Sequence, residues 1–294
     1  MDKPFDCKRI KKVGLISKRD LNDKKIIEKL VKYLEKKGLE VLLDQNLSKL
    51  LERGSGMKKE QLLSKVDMGI SLGGDGTLLK IARRHPRRHV PILGVNMGNL
   101  GFLTETVPEK MFHVLDSVFK NQCRLDRRTI LRVTVYRKGK KHSTYLSLND
   151  AVINQGSFAR LIQIRIEVNQ RLVVRFKGDG LIVASPTGST AHSLSAGGPI
   201  VHTGVPGLII SPICPSSLSM RPIVIPDDRQ ITIHIETERR NEIEFLGLTL
   251  DGQESIPLKY GDEIKIRKSH RVLHLIREGS RYYKMLRQKL SWGE

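Results

Sequence analysis

Residues 67–80 read DMGISLGGDGTLLK, and the organisation of the chain follows from how that stretch folds. Residues 68–72 form a short apolar run of strand length, and residues 77–82 carry helix formers at helical spacing. Gly73-Gly74-Asp75-Gly76 is therefore a strand-to-helix turn. Its glycines leave peptide N–H groups uncovered, and with the positive end of the following helix they make an anion site suited to phosphate. Asp75 would be repelled by a phosphate unless a divalent cation lies between them or the carboxylate has a proton to remove. That points to phosphoryl transfer. A Walker loop would need Lys and Ser/Thr after the last glycine, where the chain has Thr77-Leu78, and a dinucleotide fingerprint would need glycine where Leu79 stands. Taken alone, the turn also reads as a tight corner with Asp75 or Thr77 as N-cap.

Working outward, residues 11–17 read as a first strand and residues 23–37 as an amphipathic helix with Ile26, Ile27, Leu30, Val31 and Leu34 on one face and Gly38 as its stop. Residues 39–43 are a second strand, 44–60 a loose connection, 91–95 a further buried strand and 108–120 a helix. This β-α-β alternation predicts an open α/β domain with a parallel sheet, and ligands of such sheets bind at the carboxyl ends of strands, where Asp75 falls. From about residue 123 the texture changes. Short alternating segments at 131–136, 145–153, 161–168, 172–176, 181–184, 208–211, 231–236 and 263–267 predict a mostly-β, sandwich-like domain. Residues 273–276 read as a last strand and 280–290 as a terminal helix. The expected division is 1–122, 123–272 and 273–294, the last returning to the N-terminal domain.

At 294 residues the chain can bury about three quarters of its unfolded surface. Cys7, Cys123 and Cys214 are odd in number, far apart and in no CxxC pair, so neither a disulfide framework nor a zinc site is indicated, and a reducing cytoplasm fits best. The N-terminus MDKPFDCKRIKK has no apolar signal core, and no apolar run approaches the ~20 residues of a membrane span. The net charge of +21 comes from basic pairs scattered through the chain, with aromatics at only 5%. That argues against a nucleic-acid platform and for solvated surface that also steers phosphates.

Residues 177–199, KGDGLIVASPTGSTAHSLSAGGP, are dense in small and hydroxylated residues. Thr187-Gly188-Ser189-Thr190 follows a strand and opens a short helix over 191–196, a second anion site lined with hydroxyls. Asn149-Asp150 sets an amide beside a carboxylate, a pair suited to ribose hydroxyls or an adenine edge, although either it or Asp251-Gly252-Gln253 also reads as a turn.

Together LGGDGTLL (72–79), LNDAV (148–152), GDGLIVASPTGSTA (178–191), SAGGP (195–199), LSMRPIVIP (218–226), Asp251–Gln253 and the ending MLRQKLSWGE resemble the NAD kinase family, over about residues 15–293. The resemblance implies transfer of the ATP γ-phosphoryl group to the adenosine ribose 2′-hydroxyl of NAD, with Mg²⁺ or another divalent cation entering on ATP. By motif position Asp75 is the base or hydrogen-bond anchor at the acceptor hydroxyl. Gly73, Gly74, Gly76 and Thr77 bind ATP phosphates. Asn149 and Asp150 hold the acceptor's ribose and adenine, Phe102 closes on the adenine, and Asp179 reaches the nicotinamide carboxamide. Thr187, Thr190, Ala191, His192, Ser193, Leu194 and Ser195 line the NAD pocket. Lys177 and Arg160 stand near phosphates, with Lys80 and Gln253 completing the set. His192 replaces the family's usual tyrosine. The family also implies a homodimer or homotetramer with NAD sites near subunit boundaries. Two alternatives remain open at the level of sequence: a lipid kinase sharing the GGDGT turn, and a non-catalytic polyanion binder for which Arg83–His89 is the best local stretch.

Overall fold

The computed structural model describes residues 9–86, 89–155, 161–236, 246–279 and 282–291. The chain divides into two compact units, Met1–Arg127 with Leu273–Glu294, and Arg128–Val272.

In the first unit, β1 (Lys12–Ser17), β2 (Glu40–Leu43), β3 (Met68–Leu72) and β4 (Pro91–Val95) form a parallel sheet in the order β2-β1-β3-β4. β3 and β4 are buried at every residue, the signature of strands covered on both faces. The cover comes from helices. α1 (Lys24–Lys36) is capped by Asp23, whose carboxylate accepts the Ile26 N–H at 3.1 Å, and it buries Ile27, Leu30, Val31 and Leu34. Each such side chain contributes about 1.5–3 kcal/mol by leaving water. α4 (Asp75–Arg83) and α5 (Pro108–Phe119) complete the βα alternation. The order reverses between β1 and β3, so the carboxyl ends Ser17 and Leu72, which pair in register, flank the crevice where such sheets hold ligands.

The stretch at 44–60, expected to be loose, instead contains α2 (Gln45–Leu51) and the start of α3 (Lys59–Lys65). Asp44 nucleates α2 by accepting the Leu47 N–H at 2.9 Å, and Leu47 and Leu51 turn into the core.

The second unit is built from two antiparallel sheets. β8 (Ile162–Val168) lies between β9 (Arg171–Gly178) and β13 (Ile231–Glu236), which pairs with the first part of β16 (Glu263–Arg277); β5 (Arg124–Arg137) pairs with β6 (Lys140–Ser147). The other sheet runs β12 (Ile223–Pro226), β11 (Gly207–Ile213), β10 (Gly180–Ala184), β7 (Asp150–Gln155), β14 (Leu246–Leu250), β15 (Glu254–Leu258). Ile162, Ile164, Ile166, Ile231 and Ile233 from the first sheet share one core with Leu181, Val183, Leu208, Ile210 and Leu248 from the second. This is the sandwich expected from the alternation, with the terminal helix α7 (Tyr282–Leu290) following β16. Two boundaries differ from expectation. The single strand read over 145–153 breaks into β6 and β7 at Leu148-Asn149, whose N–H groups are taken by Asp251. The strands read at 263–267 and 273–276 are one strand, β16. Among the described residues no helix is long and apolar enough to cross a membrane.

Candidate functional site

The glycine turn closes β3 onto α4. Gly73 donates its N–H to Val95 O at 2.9 Å, which locks the turn to β4 and removes that N–H from ligand binding. Gly74 is the N-cap, extended and without a capping side chain. The dipole of α4 adds positive potential at this amino end. Thr77 is buried and donates its N–H to Gly74 O at 2.9 Å. Positive charge gathers nearby. Lys59 places Nζ 2.7 Å from Ser17 O and 3.7 Å from Asp44 Oδ2. Burial holds its pKa below the ordinary lysine value and, although Asp44 opposes this, Lys80 and Arg84 push the same way. Lys80 itself is exposed on α4.

Asp75 faces a loop. Its Oδ2 accepts the Phe102 N–H at 2.9 Å, and Oδ1 accepts those of Leu103 at 3.1 Å and Thr104 at 3.2 Å. A Cβ on Gly101 would overlap that carboxylate, so glycine is required there. A carboxylate offers about four lone-pair positions, so one on Oδ2 remains for a further donor. Phe102 is half-buried beside it.

In the second unit a different aspartate organises a second loop. Asp251 adopts φ +52°, is 7% exposed, and through Oδ1 accepts the Ser147 hydroxyl at 2.6 Å and the N–H groups of Leu148 at 3.0 Å and Asn149 at 2.7 Å. Asn149 O in turn accepts the Ser185 N–H at 2.8 Å, and Ser185 Oγ donates to Leu148 O at 2.5 Å. Gly188 packs so closely on the Asn149 carbonyl that no side chain fits. Asn149, Asp150 and the turn at Thr187–Thr190 are thus brought together. Asp150 is buried; burial first, then the neighbouring Asp251 carboxylate, push it up to about 7 from an ordinary 3.8, against a backbone hydrogen bond from His192.

The hydroxyls of 185–195 divide. Thr187–Thr190 is a 3-10 turn, and the helix after it, α6 (His192–Ser195), has a single turn. Ser189 Oγ bonds Pro186 O at 2.7 Å and Val201 O at 3.1 Å, Ser193 pairs with Ser211 at 3.0 Å, and Thr187 accepts from Arg128 at 3.4 Å. These face the scaffold, which corrects the expectation of a second helix end lined with hydroxyls. His192 and Ser195 are exposed, and Thr190, Ala191 and Leu194 half-buried.

Asp179 and Lys177 are exposed at the opposite end of β10, since Asp150 pairs with Ala184 but Asn154 with Gly180. Five strand residues separate the two ends by roughly 16 Å. The Asp179 carboxylate accepts from the Cys214 thiol and raises the thiol's pKa. Gln253 is exposed in the turn between β14 and β15, and Arg160 lies outside the described residues. Among the described residues no group of three His, Cys, Asp or Glu is arranged to hold a metal.

Comparison with known proteins places these motifs. Residues 13–123 match the ATP-NAD kinase N-terminal domain and residues 148–278 the ATP-NAD kinase C-terminal domain. The chain belongs to the ATP-NAD kinase family. An NAD kinase of Geotalea daltonii is 42% identical over 287 residues, covering 97% of this chain and 100% of the relative. One from Koribacter versatilis is 41% identical over 279 residues, 95% and 96% of the two chains. The crystal structure of an NAD kinase from Archaeoglobus fulgidus in complex with ATP superposes with a TM-score of 0.74 at 27% identity, covering 96% of this chain and 100% of that one. Yeast NADH kinase, complexed with NADH, shares the fold with a TM-score of 0.86 at 23% identity, covering 97% and 88%. Membership makes the chain an NAD kinase and supports that reading over the lipid-kinase and polyanion readings left open by the GGDGT turn. Sequence reading did not find the loop 101–104 as partner of Asp75, nor Asp251 as organiser of Asn149. The spacing of NMGNLGFLT, two glycines before a small hydroxylated residue, was the available signal for the first.

Proposed function

We propose that this kinase transfers the γ-phosphoryl group of ATP to the 2′-hydroxyl of the adenosine ribose of NAD, with Asp75 acting at that hydroxyl. The observation that carries the reading is the Asp75 carboxylate at the amino end of α4, held by three loop N–H groups with one acceptor position left over. In the transfer the acceptor oxygen forms a bond to Pγ, the bond from Pγ to the bridging oxygen breaks, and ADP leaves. The hydroxyl proton passes to Asp75 or, where Asp75 only anchors, to solvent. Such a reaction needs alignment and charge neutralisation more than covalent help.

Gly74, Gly76 and the α4 amides would take ATP phosphates, with Lys59 and Lys80 adding positive potential. This donor set of N–H and ammonium groups suits phosphate oxygens rather than a metal, so the divalent cation enters as part of the substrate, on the phosphates and water. Phe102, Asn149, Asp150 and, in the 190–195 segment, Thr190, Ala191, His192, Leu194 and Ser195 would bind NAD, with Thr187 and Ser193 holding that segment to the scaffold. Asp179 and Lys177, at the far end of β10, are suited to serve an acceptor bound by a neighbouring copy, which favours a homodimer or homotetramer. A reducing, cytoplasmic setting fits the dispersed cysteines.

The test is a donor and acceptor panel: ATP or inorganic polyphosphate with Mg²⁺, against NAD, NADH or diacylglycerol vesicles. NADP from ATP and NAD is the expected product. Phosphorylated lipid without NADP would overturn the reading.

A further inference from the structure

Arg277, the last residue of β16, is 8% exposed, and all three of its guanidinium nitrogens donate hydrogen bonds. Nη1 donates to Thr104 O and Glu105 Oε2, each at 3.0 Å, Nη2 to Phe102 O at 3.1 Å, and Nε to Asp126 Oδ2 at 3.3 Å. Glu105 is 2% exposed and also accepts the Glu278 N–H at 3.1 Å. The two carbonyls belong to the loop that faces Asp75.

A trans peptide is planar, with its C=O and N–H pointing in opposite directions. The carbonyl of Phe102 and the N–H of Leu103 are two ends of one such plane. Arg277 holds the first and Asp75 the second. The next gripped plane joins Thr104 O, on Arg277, to the Glu105 N–H, which donates to Gly94 O of β4 at 2.8 Å. The loop is therefore clamped on both faces: the Asp75 carboxylate on one, the guanidinium on the other. Rotation of the Phe102–Leu103 peptide would swing the Leu103 N–H away from Asp75 and change which lone pair is left for a substrate, and rotation of the Thr104–Glu105 peptide would break the loop's tie to β4.

We infer that Arg277 is a positioning residue for phosphoryl transfer, setting through the 102–104 loop the direction in which the Asp75 carboxylate meets the acceptor hydroxyl. The inference rests on Asp75 acting at that hydroxyl. A lysine cannot replace the arginine, because a single ammonium cannot span two carbonyls and two carboxylates that the planar fork reaches together.

The experiment is a double-mutant cycle in the full-length enzyme with Arg277→Lys, Asp75→Asn and both, measuring kcat, KM for NAD and for ATP, and thermal melting. Arg277→Lys is expected to lower kcat roughly 10- to 100-fold, to leave KM for ATP within about twofold, and to cost no further activity once Asp75 is already Asn. A folded Arg277→Lys enzyme with kcat within about threefold of wild type overturns the inference, as does a fully multiplicative double variant. If wild type and Asp75→Asn are equally active, the reading of Asp75 itself fails, which is a separate outcome. Should Arg277→Lys not fold, the pair Arg277→Gln with Glu105→Gln removes both buried charges together and takes its place in the cycle.

Discussion

In the first unit Asp75 gathers the N–H groups of Phe102, Leu103 and Thr104, and in the second Asp251 gathers the Ser147 hydroxyl with the N–H groups of Leu148 and Asn149. Each carboxylate shapes a loop that carries a residue read as touching NAD. They differ in what is left over. Asp251 is buried and takes the Leu148 N–H on Oδ2 as well as Oδ1, at 3.2 and 3.0 Å, and it sits beside a second carboxylate that burial pushes up to about 7. Asp75 stands half-buried at a helix amino end with an acceptor position unfilled. The same device, an aspartate capping backbone amides, is thus spent on structure in one place and keeps a contact for substrate in the other.

The comparison breaks most visibly at Asp251. Replacing it with Ala orphans the buried Leu148 N–H and the half-buried Asn149 N–H, and denaturant melts should show a loss of about 3 kcal/mol; an unchanged midpoint with lost activity would mean that Asp251, not its counterpart, is the chemical group. Gly101→Ala perturbs the other side of the pair. The new methyl displaces the Asp75 carboxylate without demanding a positive φ, so kcat should fall roughly 10- to 100-fold, with a lower melting temperature because the loop N–H groups lose their acceptor. A stable, fully active variant would show that the carboxylate can be moved without consequence.

Asp150→Asn sharpens the contrast through pH. The unfolded chain ionises this group near 3.8 and the folded one near 7, so the folded state binds more protons between those values, and stability falls as pH rises across that window. Below 3.8 nothing is lost, and above 7 the loss is complete. The asparagine variant should therefore be more stable than wild type at pH 8, by on the order of 2 kcal/mol, and much closer to it at pH 4. Equal differences at both pH values would contradict the buried carboxylate pair.

How much of this the sequence carries depends on whether the signal is local. The Gly73–Gly76 turn and the helix after it are legible because strand, glycines and helix formers are contiguous. The partners of Asp75 are not, since backbone N–H groups 27 to 29 positions away have no side-chain signature. Asp251 looks like any turn aspartate until the fold brings it to Leu148. The helices at 45–51 and 59–65 each have seven residues, too few turns to establish a period. The break between β6 and β7 carries neither Gly nor Pro, because its cause is a carboxylate about a hundred residues further on, which leaves no punctuation in the chain. The hydroxyl-rich 185–195 segment was legible as unusual in composition, but which hydroxyls turn inward is decided by Val201 and Ser211.

The most direct measurement is the kcat of Asp75→Asn with ATP, Mg²⁺ and NAD all saturating, beside its melting curve and its affinity for ATP. The account predicts a folded protein that binds ATP as wild type does and forms NADP roughly 10²- to 10⁴-fold more slowly. A rate within about tenfold of wild type would contradict it, and the unfilled acceptor position on Asp75 would then have no part in the reaction.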